Sequence, residues 1–368
     1  MPDETLKDLR KRISKIDDEI LSLIEERMSL SVKVGEYKRA HGLPIKDYGV
    51  EKQIIDKVRQ KAGSFGMAED LGEDVFKTLI EHSCKVQDDL FKVKKEERPS
   101  GSLEILMVGG FGLMGQWFSE YFDSLGHKVT IYDAKKPQGS QDGYRVHASL
   151  KEGAKSAQII VLATPLSQTK SMIEKLIPLK PTGLIVDICS LKSPVIVPLE
   201  KAASMGLRVA SIHPMFGPGV KTLLGRNIIL CKDKKHASLA AIKELFSQSS
   251  ANLVEIPMKE HDVLMSYILG SAHLLNLVFA RVLRKSSFPL KKLLEVSGTT
   301  FRQQFLVTSD VVSENKDLYY EIQSQNSETL ELINAFKESF DTYYASIAQK
   351  DRASFIAEMQ KAFDYQKT

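Results

Sequence analysis

The stretch LEILMVGGFGLMG, residues 103–115, decides the fold of the central part of this chain. Its mostly apolar first half, 103–108, predicts a buried strand, which runs into a loop with GxGxxG spacing that ends at Gly115. A second predicted strand, KVTIYD, ends at Asp133. A glycine loop that follows a strand, opens a helix and precedes an acid at the end of the next strand is typical of a dinucleotide-binding fold.

Each glycine of this loop has its own expected role. Gly110 allows the tight turn, Gly112 lets the backbone approach a pyrophosphate at the helix N-terminus, and Gly115 permits close contact between helix and strand. Asp133 is expected to accept hydrogen bonds from the adenosine ribose and to repel a 2′-phosphate, which favours NAD over NADP. Lys135 and Lys136, which follow it after one alanine, weaken that preference. The predicted cofactor contacts in this region are Gly110, Gly112, Leu113, Met114, Gly115 and Asp133.

Outward from this loop, predicted strands alternate with predicted helices. Apolar runs at 158–163 and 183–188 resemble the first strand, and helical stretches are expected near 113–125, 165–177 and 194–205. This alternation predicts a parallel sheet covered by helices on both faces.

Two polar segments follow predicted strands of this sheet. They are DICSLK, residues 187–192, and SIHPMFGP, residues 211–218. In open α/β sheets, ligands bind beyond the carboxyl ends of the strands, and both segments are expected there. We interpret His213, placed just past a strand and followed by proline and glycine turns, as catalytic, with Ser190 positioned to orient it.

The N-terminal region has a helical pattern. Apolar residues recur at spacings of three and four from Leu6 to Val34, which predicts one long helix packed against other helices. From Arg10 to Lys38 this helix spans about 45 Å at 1.5 Å per residue, too long for one small domain to cover. An intertwined homodimer is therefore expected. Arg27 occupies a position in the apolar seam, where a guanidinium needs a fixed anion.

Further polar residues complete a predicted anion site. Lys38 shares the helix face of Arg27, whereas Arg10 lies off that face and suits the pocket of another subunit. Two other pairs have the i, i+4 spacing that places both members on one helix face. The set comprises three cations, two carboxylates and two neutral groups: Arg10, Arg27, Lys38, Asp47, Glu51, Ser83 and Gln87. A small molecule with two carboxylates and a hydroxyl would use all of them.

All seven positions match the active-site pattern of the all-helical chorismate mutases, which the first ninety residues resemble. The resemblance implies that Arg27 and the partner subunit's Arg10 hold the two carboxylates of chorismate. Lys38 and Gln87 would hydrogen-bond the ether oxygen, where negative charge grows, and one of the two carboxylates would take the ring hydroxyl. The pericyclic rearrangement needs no nucleophile or metal, so catalysis would come from holding the reactive conformer and stabilising charge.

From about residue 103 to the C-terminus the chain resembles the prephenate dehydrogenases. The matching segments, in family order, are GGFGLMG, ATP at 163–165, DICSLK, HPMFGP, His261-Asp262 and Thr300-Phe-Arg302. The resemblance implies that His213 draws the proton from the C4 hydroxyl of prephenate as hydride leaves for NAD, with Ser190 orienting it. Arg302 would pair with a substrate carboxylate. Further expected contacts are Lys192 and His273 for the substrate, and Thr164 and Pro165 for the cofactor.

As a whole, the chain resembles the bifunctional chorismate mutase–prephenate dehydrogenases of tyrosine biosynthesis. We expect a multidomain protein. Residues 1–92 would form an all-α chorismate mutase domain, and the charged run 93–102, which contains Pro-Ser-Gly, a linker. Residues 103–258 would form an NAD-binding Rossmann-type α/β domain, and 259–368 an all-α domain for dimerisation and substrate binding.

Composition limits the partners. The net charge is +4 with scattered lysines, which suits anionic small molecules but does not favour nucleic acid. Neither an apolar signal core nor an uninterrupted eighteen-residue apolar run is present, so a cytoplasmic protein without a membrane partner is expected. The three cysteines lack CxxC spacing and predict neither a metal site nor a disulfide framework.

Two alternatives stay open at this point. The dehydrogenase half would also suit arogenate, whose side chain carries an amine as well as a carboxylate. The helical domain would also serve as a dimerisation or effector-sensing module without turnover.

Overall fold

The computed structural model describes residues 5–41, 48–90, 101–135, 143–233, 239–247 and 249–368. Contacts divide the chain into two compact units. The first comprises Met1–Thr164, Gln168–Cys189 and Pro198–Ile256, and the second comprises Pro165–Ser167, Ser190–Val197 and Pro257–Thr368. The proposed linker lies largely outside the described residues.

Three helices form the N-terminal part of the first unit. They are α1 (Leu6–Ala40), α2 (Tyr48–Ser64) and α3 (Glu69–Leu90). The prediction of one long N-terminal helix is confirmed, and α3 packs against both of the others. Most of the apolar seam of α1 is uncovered within the chain: Ile13 and Leu23 are 58% and 64% exposed.

An eight-stranded sheet forms the rest of the first unit. Its strands are β1 (Glu104–Val108), β2 (Lys128–Tyr132), β3 (Arg145–Val146), β4 (Ile159–Leu162), β5 (Leu184–Asp187), β6 (Val209–Pro214), β7 (Asn227–Lys232) and β8 (Asn252–Pro257). Their order across the sheet is β3-β2-β1-β4-β5-β6-β7-β8. Strands β1 to β6 are parallel, which confirms the prediction for this part of the sheet.

The prediction of a wholly parallel sheet is wrong at one edge, because β7 runs antiparallel to β6. Residues 215–226, which join the two strands, contain no helix. A parallel neighbour needs a crossover that carries the chain back to the starting edge, usually a helix. Residues 215–226 instead reverse the direction of the chain without a helix, so β7 runs antiparallel to β6.

Helices of the described residues accompany the sheet: α4 (Leu113–Ser124), α5 (Leu150–Ser156), α6 (Leu166–Leu176), α7 (Ser193–Ser204) and α8 (Leu239–Phe246). The alternating pattern predicted α4, α6 and α7, whereas α5 and α8 were not predicted. The core of the first unit contains stacked rings, with Tyr121 and Phe246 centred 5.3 Å apart. The ends of the predicted strands and helices agree with these bounds to within one or two residues.

The second unit contains mostly helices, as expected after residue 258. They are α9 (Met258–Met265), a π-helical turn (Ser266–Gly270), α10 (Ser271–Lys285), α11 (Leu290–Glu295), α12 (Thr299–Ser313), α13 (Lys316–Gln325), α14 (Thr329–Ala348) and α15 (Arg352–Tyr365). Side chains of Asn315 and Asp351 cap α13 and α15. Large apolar residues are exposed on several of these helices, for example Val282 and Leu306.

One helical run in the described part of the chain, Met258–Lys285, is long and apolar enough to cross a membrane by length and composition alone. Its mean hydropathy over the best window is 1.7. The core helix of a soluble protein meets the same criterion, so this run is weak grounds for a membrane span.

Candidate active sites

The side chain of Arg27 reaches from α1 to α3. Its Nη1 atom donates to Ser83 Oγ at 2.8 Å and to the carbonyl oxygen of Leu79 at 3.2 Å. Ser31, one turn after Arg27 on the same face, donates to Ser83 Oγ at 3.3 Å. Burial lowers the pKa of the Arg27 guanidinium, against an opposing effect of Cys84. Since Ser83 and Leu79 are neutral partners, the cationic charge is left for an anion.

Glu51 lies on α2 and is buried, with 6% of its surface exposed. Its Oε1 atom accepts a hydrogen bond from Cys84 Sγ at 3.3 Å, and its Oε2 atom accepts one from Thr222 Oγ1 at 2.5 Å. Cys84 directly follows Ser83, so α3 links the guanidinium of Arg27 to the carboxylate of Glu51. The structure therefore brings together three of the seven predicted mutase residues.

Two of the other four predicted mutase residues, Arg10 and Lys38, have side chains that the structure describes. Arg10 is exposed on α1, about 25 Å from Arg27 along the helix at 1.5 Å per residue. Lys38 is half-buried near the C-terminal end of α1. Asp47 lies outside the described residues, and so does the side chain of Gln87, whose backbone belongs to α3.

Sequence reasoning missed Thr222 as a neighbour of this site. Thr222 and Glu51 are 171 residues apart, and no local pattern predicts that they meet. Ser31 and Cys84 were detectable: the former is four residues after Arg27, and the latter is adjacent to Ser83.

The glycine loop after β1 differs from the prediction in one respect. The left-handed backbone conformation, with φ of +85°, falls at Gly109 and not at Gly110. A Cβ atom at Gly109 would lie 2.6 Å from the carbonyl oxygen of Ala163. Gly110 is required for space instead, because its Cβ would lie 2.8 Å from the side chain of Ile131. At Gly115 a Cβ would lie 2.2 Å from Gly109 O, which confirms the predicted close approach of α4.

Asp133 fastens this loop to the end of β2. Its Oδ2 atom accepts a hydrogen bond from the backbone N–H of Phe111 at 3.0 Å, and Oδ1 accepts one from Lys135 N–H at 2.9 Å. The acid therefore shapes the loop in addition to any contact with a ribose. The second lysine after it lies outside the described residues.

These residues fit a dinucleotide. Helix α4 begins directly after Gly112, which provides no side-chain cap to the first N–H groups. Uncapped N–H groups at a helix N-terminus bind phosphate oxygens, and the helix dipole favours negative charge there. Leu113 is exposed and Met114 half-buried in the first turn of α4, and Thr164 Oγ1 lies 2.9 Å from Thr169 Oγ1 beyond β4. Pro165 is exposed at the start of α6.

Strand register places the polar segments of the first unit at one edge. Tyr132, Val108, Leu162, Asp187 and Ser211 are aligned across five neighbouring parallel strands. The residues that follow them, including the glycine loop and the catalytic candidate of β6, therefore share the carboxyl edge of the sheet, as predicted.

His213 lies inside β6 and not in a loop just past it, which corrects the prediction. It pairs with Ile229 of β7 and is only 3% exposed. The antiparallel return of β7 extends β6 beyond the end of its parallel neighbour, so the histidine is held by backbone pairing. A strand position fixes an imidazole more firmly than a turn does.

Ser190 and Lys192 belong to the second unit, next to the N-terminus of α7. Ser190 is half-buried, whereas Lys192 is fully buried. The backbone N–H groups of Lys192 and Ser193 each donate to the Asp262 carboxylate at 2.7 Å, and the Ser193 hydroxyl also donates to it. Asp262 thus anchors the start of α7.

His261 is fully buried, and its Nδ1 atom lies 2.7 Å from Asp262 Oδ1. Burial by itself would raise the pKa of Asp262, but hydrogen bonds from His261, Ser193 and two backbone N–H groups lower it to about 2. The Asp262 carboxylate therefore serves the N-terminus of α7 and not that of its own helix, α9.

His273 and Arg302 also lie in the second unit. The ring of His273 stacks on Tyr319 with centroids 4.0 Å apart, and burial lowers the pKa of His273. Arg302 is exposed on α12 and donates to the carbonyl oxygen of Leu294 at 2.9 Å. Its cationic charge is not neutralised by that partner.

A glycine loop, an acid and a buried histidine on one edge of a parallel sheet define a nucleotide-dependent oxidoreductase. Helices α1–α3, in which Arg27 contacts neutral partners and can bind an anion, form a second functional domain.

Comparisons with known proteins agree with both parts. Residues 9–88 match the family model of chorismate mutase type II, residues 123–255 that of the prephenate dehydrogenase nucleotide-binding domain, and residues 257–361 that of the prephenate dehydrogenase dimerization domain. The chain belongs to the family of bifunctional chorismate mutase–prephenate dehydrogenases, NAD-dependent enzymes of tyrosine biosynthesis.

Individual relatives show the same division. A T-protein of Haemophilus influenzae is 28% identical over 366 residues, which cover 98% of this chain and 92% of the relative. A chorismate mutase of Methanocaldococcus jannaschii is 42% identical over 84 residues, 23% of this chain and 85% of the relative. A solved prephenate dehydrogenase from A. aeolicus, in complex with hydroxyphenyl propionate and NAD+, shares the fold, with a TM-score of 0.59 and 18% identity. That match covers 73% of this chain and 99% of the solved one.

Proposed function

We propose that α1–α3 rearrange chorismate to prephenate, and that the sheet and the C-terminal helices oxidatively decarboxylate prephenate to 4-hydroxyphenylpyruvate with NAD. The observation that carries the mutase assignment is the guanidinium of Arg27, partly desolvated and met by neutral groups. The domain bounds 1–92, 103–258 and 259–368, with a linker at 93–102, form part of the proposal.

In the mutase site, Arg27 pairs with one carboxylate of chorismate, and the partner subunit's Arg10 pairs with the other. Glu51, with Asp47, accepts the hydrogen bond of the ring hydroxyl. Lys38 and Gln87 donate to the ether oxygen as its negative charge develops, and Ser83 orients Arg27. The rate gain comes from a preorganised conformer and from charge stabilisation without solvent reorganisation.

In the dehydrogenase site, NAD would supply the acceptor for the hydride. The loop Gly110–Gly115 and the first turn of α4, with Leu113 and Met114, hold the pyrophosphate, and Asp133 contacts the adenosine ribose. Thr164 and Pro165 line the cofactor site beyond β4. The strand of His213 is four strands from that of Asp133, about 19 Å at 4.8 Å per strand, a span that an extended dinucleotide bridges.

His213 would accept the proton of the prephenate C4 hydroxyl as hydride leaves C4, and the ring carboxylate would leave as carbon dioxide. The imidazolium would then return its proton to the C4 oxygen, which gives the hydroxyl of 4-hydroxyphenylpyruvate. Aromatisation makes this step effectively irreversible. Ser190 orients the imidazole, and Arg302, with Lys192 and His273, binds the substrate. The fork of a guanidinium suits a carboxylate, and its charge persists at every relevant pH.

The assembly proposed is a soluble, cytoplasmic homodimer. The exposed apolar seam of α1 and the exposed apolar residues of α10 and α12 need a covering surface, since monomers rarely expose large contiguous apolar patches. A second copy of the chain provides it. The apolar run Met258–Lys285 is then part of a subunit interface.

A single experiment tests both activities. The purified chain is given chorismate and NAD, and chorismate loss and NADH formation are followed together. NADH formation that lags behind chorismate loss supports the proposal. Chorismate loss without NADH formation would refute the dehydrogenase half. NADH formation from added prephenate but not from chorismate would refute the mutase half. Replacing prephenate with arogenate tests the substrate: a higher kcat/KM for arogenate would contradict the assignment.

A further inference from the structure

The contact between Glu51 and Thr222 joins the mutase helices to the sheet domain within the first unit. Thr222 lies in the segment between β6 and β7 and is only 1% exposed. Its Oγ1 atom donates to Glu51 Oε2 at 2.5 Å. This length is typical of a hydrogen bond between a hydroxyl and an ionised carboxylate, which is stronger than one between neutral groups.

The direction of this hydrogen bond follows from the chemistry of its partners. An ionised carboxylate only accepts hydrogen bonds, so the hydroxyl of Thr222 donates its proton to Glu51. The same hydroxyl oxygen accepts a hydrogen bond from the backbone N–H of Leu224 at 3.1 Å, which helps to orient it.

The position of Thr222 is held from both sides. Two residues earlier, the carbonyl oxygen of Val220 accepts a hydrogen bond from Trp117 Nε1 on α4 at 2.7 Å. Two residues later, the side chain of Leu224 is buried in a cluster with Ile55 of α2 and Ile80 of α3. The segment is thus fastened both to the sheet domain and to the mutase helices.

Within the helices, Cys84 Sγ donates to Glu51 Oε1 at 3.3 Å. A thiol is a weak donor. The hydrogen bond from the Thr222 hydroxyl, which comes from outside the mutase helices, is the shorter and stronger of these two. An ion pair across the same boundary, that of Arg226 with Glu81 at 3.4 Å, is exposed, and exposed pairs contribute little.

We propose that Thr222 is a positioning residue for the mutase reaction, which holds the carboxylate of Glu51 in the orientation that receives the ring hydroxyl of chorismate. The inference rests on the proposed role of Glu51 in the mutase site. It makes the sheet domain a structural component of the mutase active site and not only a neighbour on the same chain.

The test measures kcat and KM of the mutase reaction in the full chain for three variants: Thr222→Val, Thr222→Ser and Glu51→Gln. Valine keeps the shape of threonine but removes the donor, and serine restores it. We expect Thr222→Val to lower mutase kcat/KM roughly 10- to 100-fold, the range of hydrogen bonds to charged groups. The mutase kcat/KM of Thr222→Ser should stay within about threefold of the wild-type value, a smaller change than the loss of one hydrogen bond causes. Prephenate oxidation reports that each variant is folded.

A matched control removes a different contact across the same boundary. Arg226→Ala deletes the exposed ion pair with Glu81 and leaves Glu51 untouched, so its mutase activity should be unchanged. An equal loss in Arg226→Ala and Thr222→Val would overturn the inference, because any weakening of the boundary would then suffice.

The remaining outcomes separate the inference from the function beneath it. Full mutase activity in Thr222→Val, together with an inactive Glu51→Gln, overturns the positioning role and leaves Glu51 in place. Full activity in Glu51→Gln removes the role of Glu51 and the inference with it. A rise in activity in Thr222→Val would show that Thr222 competes with chorismate for the carboxylate, which also overturns the inference.

Discussion

Arg27 Nη1 and Ser83 Oγ are 2.8 Å apart, although the residues are separated by 56 positions in the chain. The hydrogen bond aims a guanidinium from α1 at α3, where it meets neutral acceptors. Because neither acceptor is a carboxylate, the guanidinium is held in place with its charge available to an anionic substrate.

Arg27→Ala should abolish most mutase activity and leave prephenate oxidation near the wild-type rate. Loss of a charged hydrogen bond in a partly desolvated site costs about 3–5 kcal/mol. Chorismate loss and NADH formation from prephenate are measured on the same preparation. Arg12→Ala, at an exposed position of the same helix, is the control and should retain both activities. Unchanged chorismate turnover in Arg27→Ala would refute the assignment.

Subunit mixing tests where Arg10 acts. If the partner subunit's Arg10 completes each pocket, mixing Arg10→Ala with Lys38→Ala chains should restore activity, because one pocket of the mixed dimer carries neither change. We expect each parent to be inactive and the mixture to recover up to about a quarter of wild-type activity, from random pairing of two active-site halves. Native mass spectrometry verifies the exchange. No recovery after verified exchange would place Arg10 in the pocket of its own chain.

Cofactor choice depends on the two roles of Asp133. Asp133→Asn keeps an acceptor for the Phe111 N–H but removes the charge that repels a 2′-phosphate, so the preference for NAD over NADP should narrow. Asp133→Ala also releases the glycine loop and should lower kcat/KM with both cofactors. Steady-state kinetics with each cofactor distinguish the two. A wild-type kcat/KM for NADP equal to that for NAD would contradict the proposal that Asp133 repels the 2′-phosphate.

His213 and Arg302 should separate chemistry from binding. His213→Asn should lower kcat with little change in KM, by roughly 100- to 10,000-fold if general-base help is lost. Arg302→Gln should raise KM for prephenate more than it lowers kcat, and Arg302→Lys should fall between it and the wild type.

The pH dependence adds an independent check on His213. A protonated imidazole cannot accept a proton, so activity should fall at acid pH, and this fall should be absent in His213→Asn. If His213→Asn keeps a near-normal kcat and the same loss of activity at acid pH, His213 is structural. The general base would then be His261 or His273.

Stability of the second unit should depend on the ionisation of Asp262. Its pKa is about 2 in the folded chain against an ordinary 3.8, a difference equivalent to about 2 kcal/mol. Because the folded-state pKa is the lower one, this stabilisation is present above pH 4 and is lost as the pH falls toward 2. Asp262→Asn should therefore lower the melting temperature at pH 7, and the difference from wild type should shrink by pH 3. Glu260→Gln, exposed on the same helix, is the control. A difference independent of pH would refute the mechanism.

The sequence was sufficient where the signal is local and periodic. The long helix α1 and the alternating strands and helices follow from apolar spacing, and their observed bounds agree closely with the expected ones. The glycine loop was found because its residues are contiguous and each glycine has a steric reason. Even there, the left-handed conformation falls at Gly109 and not at Gly110. The atom that leaves no room for a Cβ at Gly109 belongs to Ala163, more than fifty residues away.

Sequence by itself determined which residues we expect to carry chemistry, because seven polar positions in helical spacing and a histidine near the end of a predicted strand are visible in the order of the chain. Tertiary structure alone decided how they are held. The antiparallel return of β7 placed His213 inside a paired strand, and Asp262 reached the N-terminus of α7 instead of serving its own helix. Thr222 met Glu51 from another domain. Each of these contacts joins residues far apart in the chain, whose proximity depends on the packing of whole elements and leaves no periodic signal in the sequence.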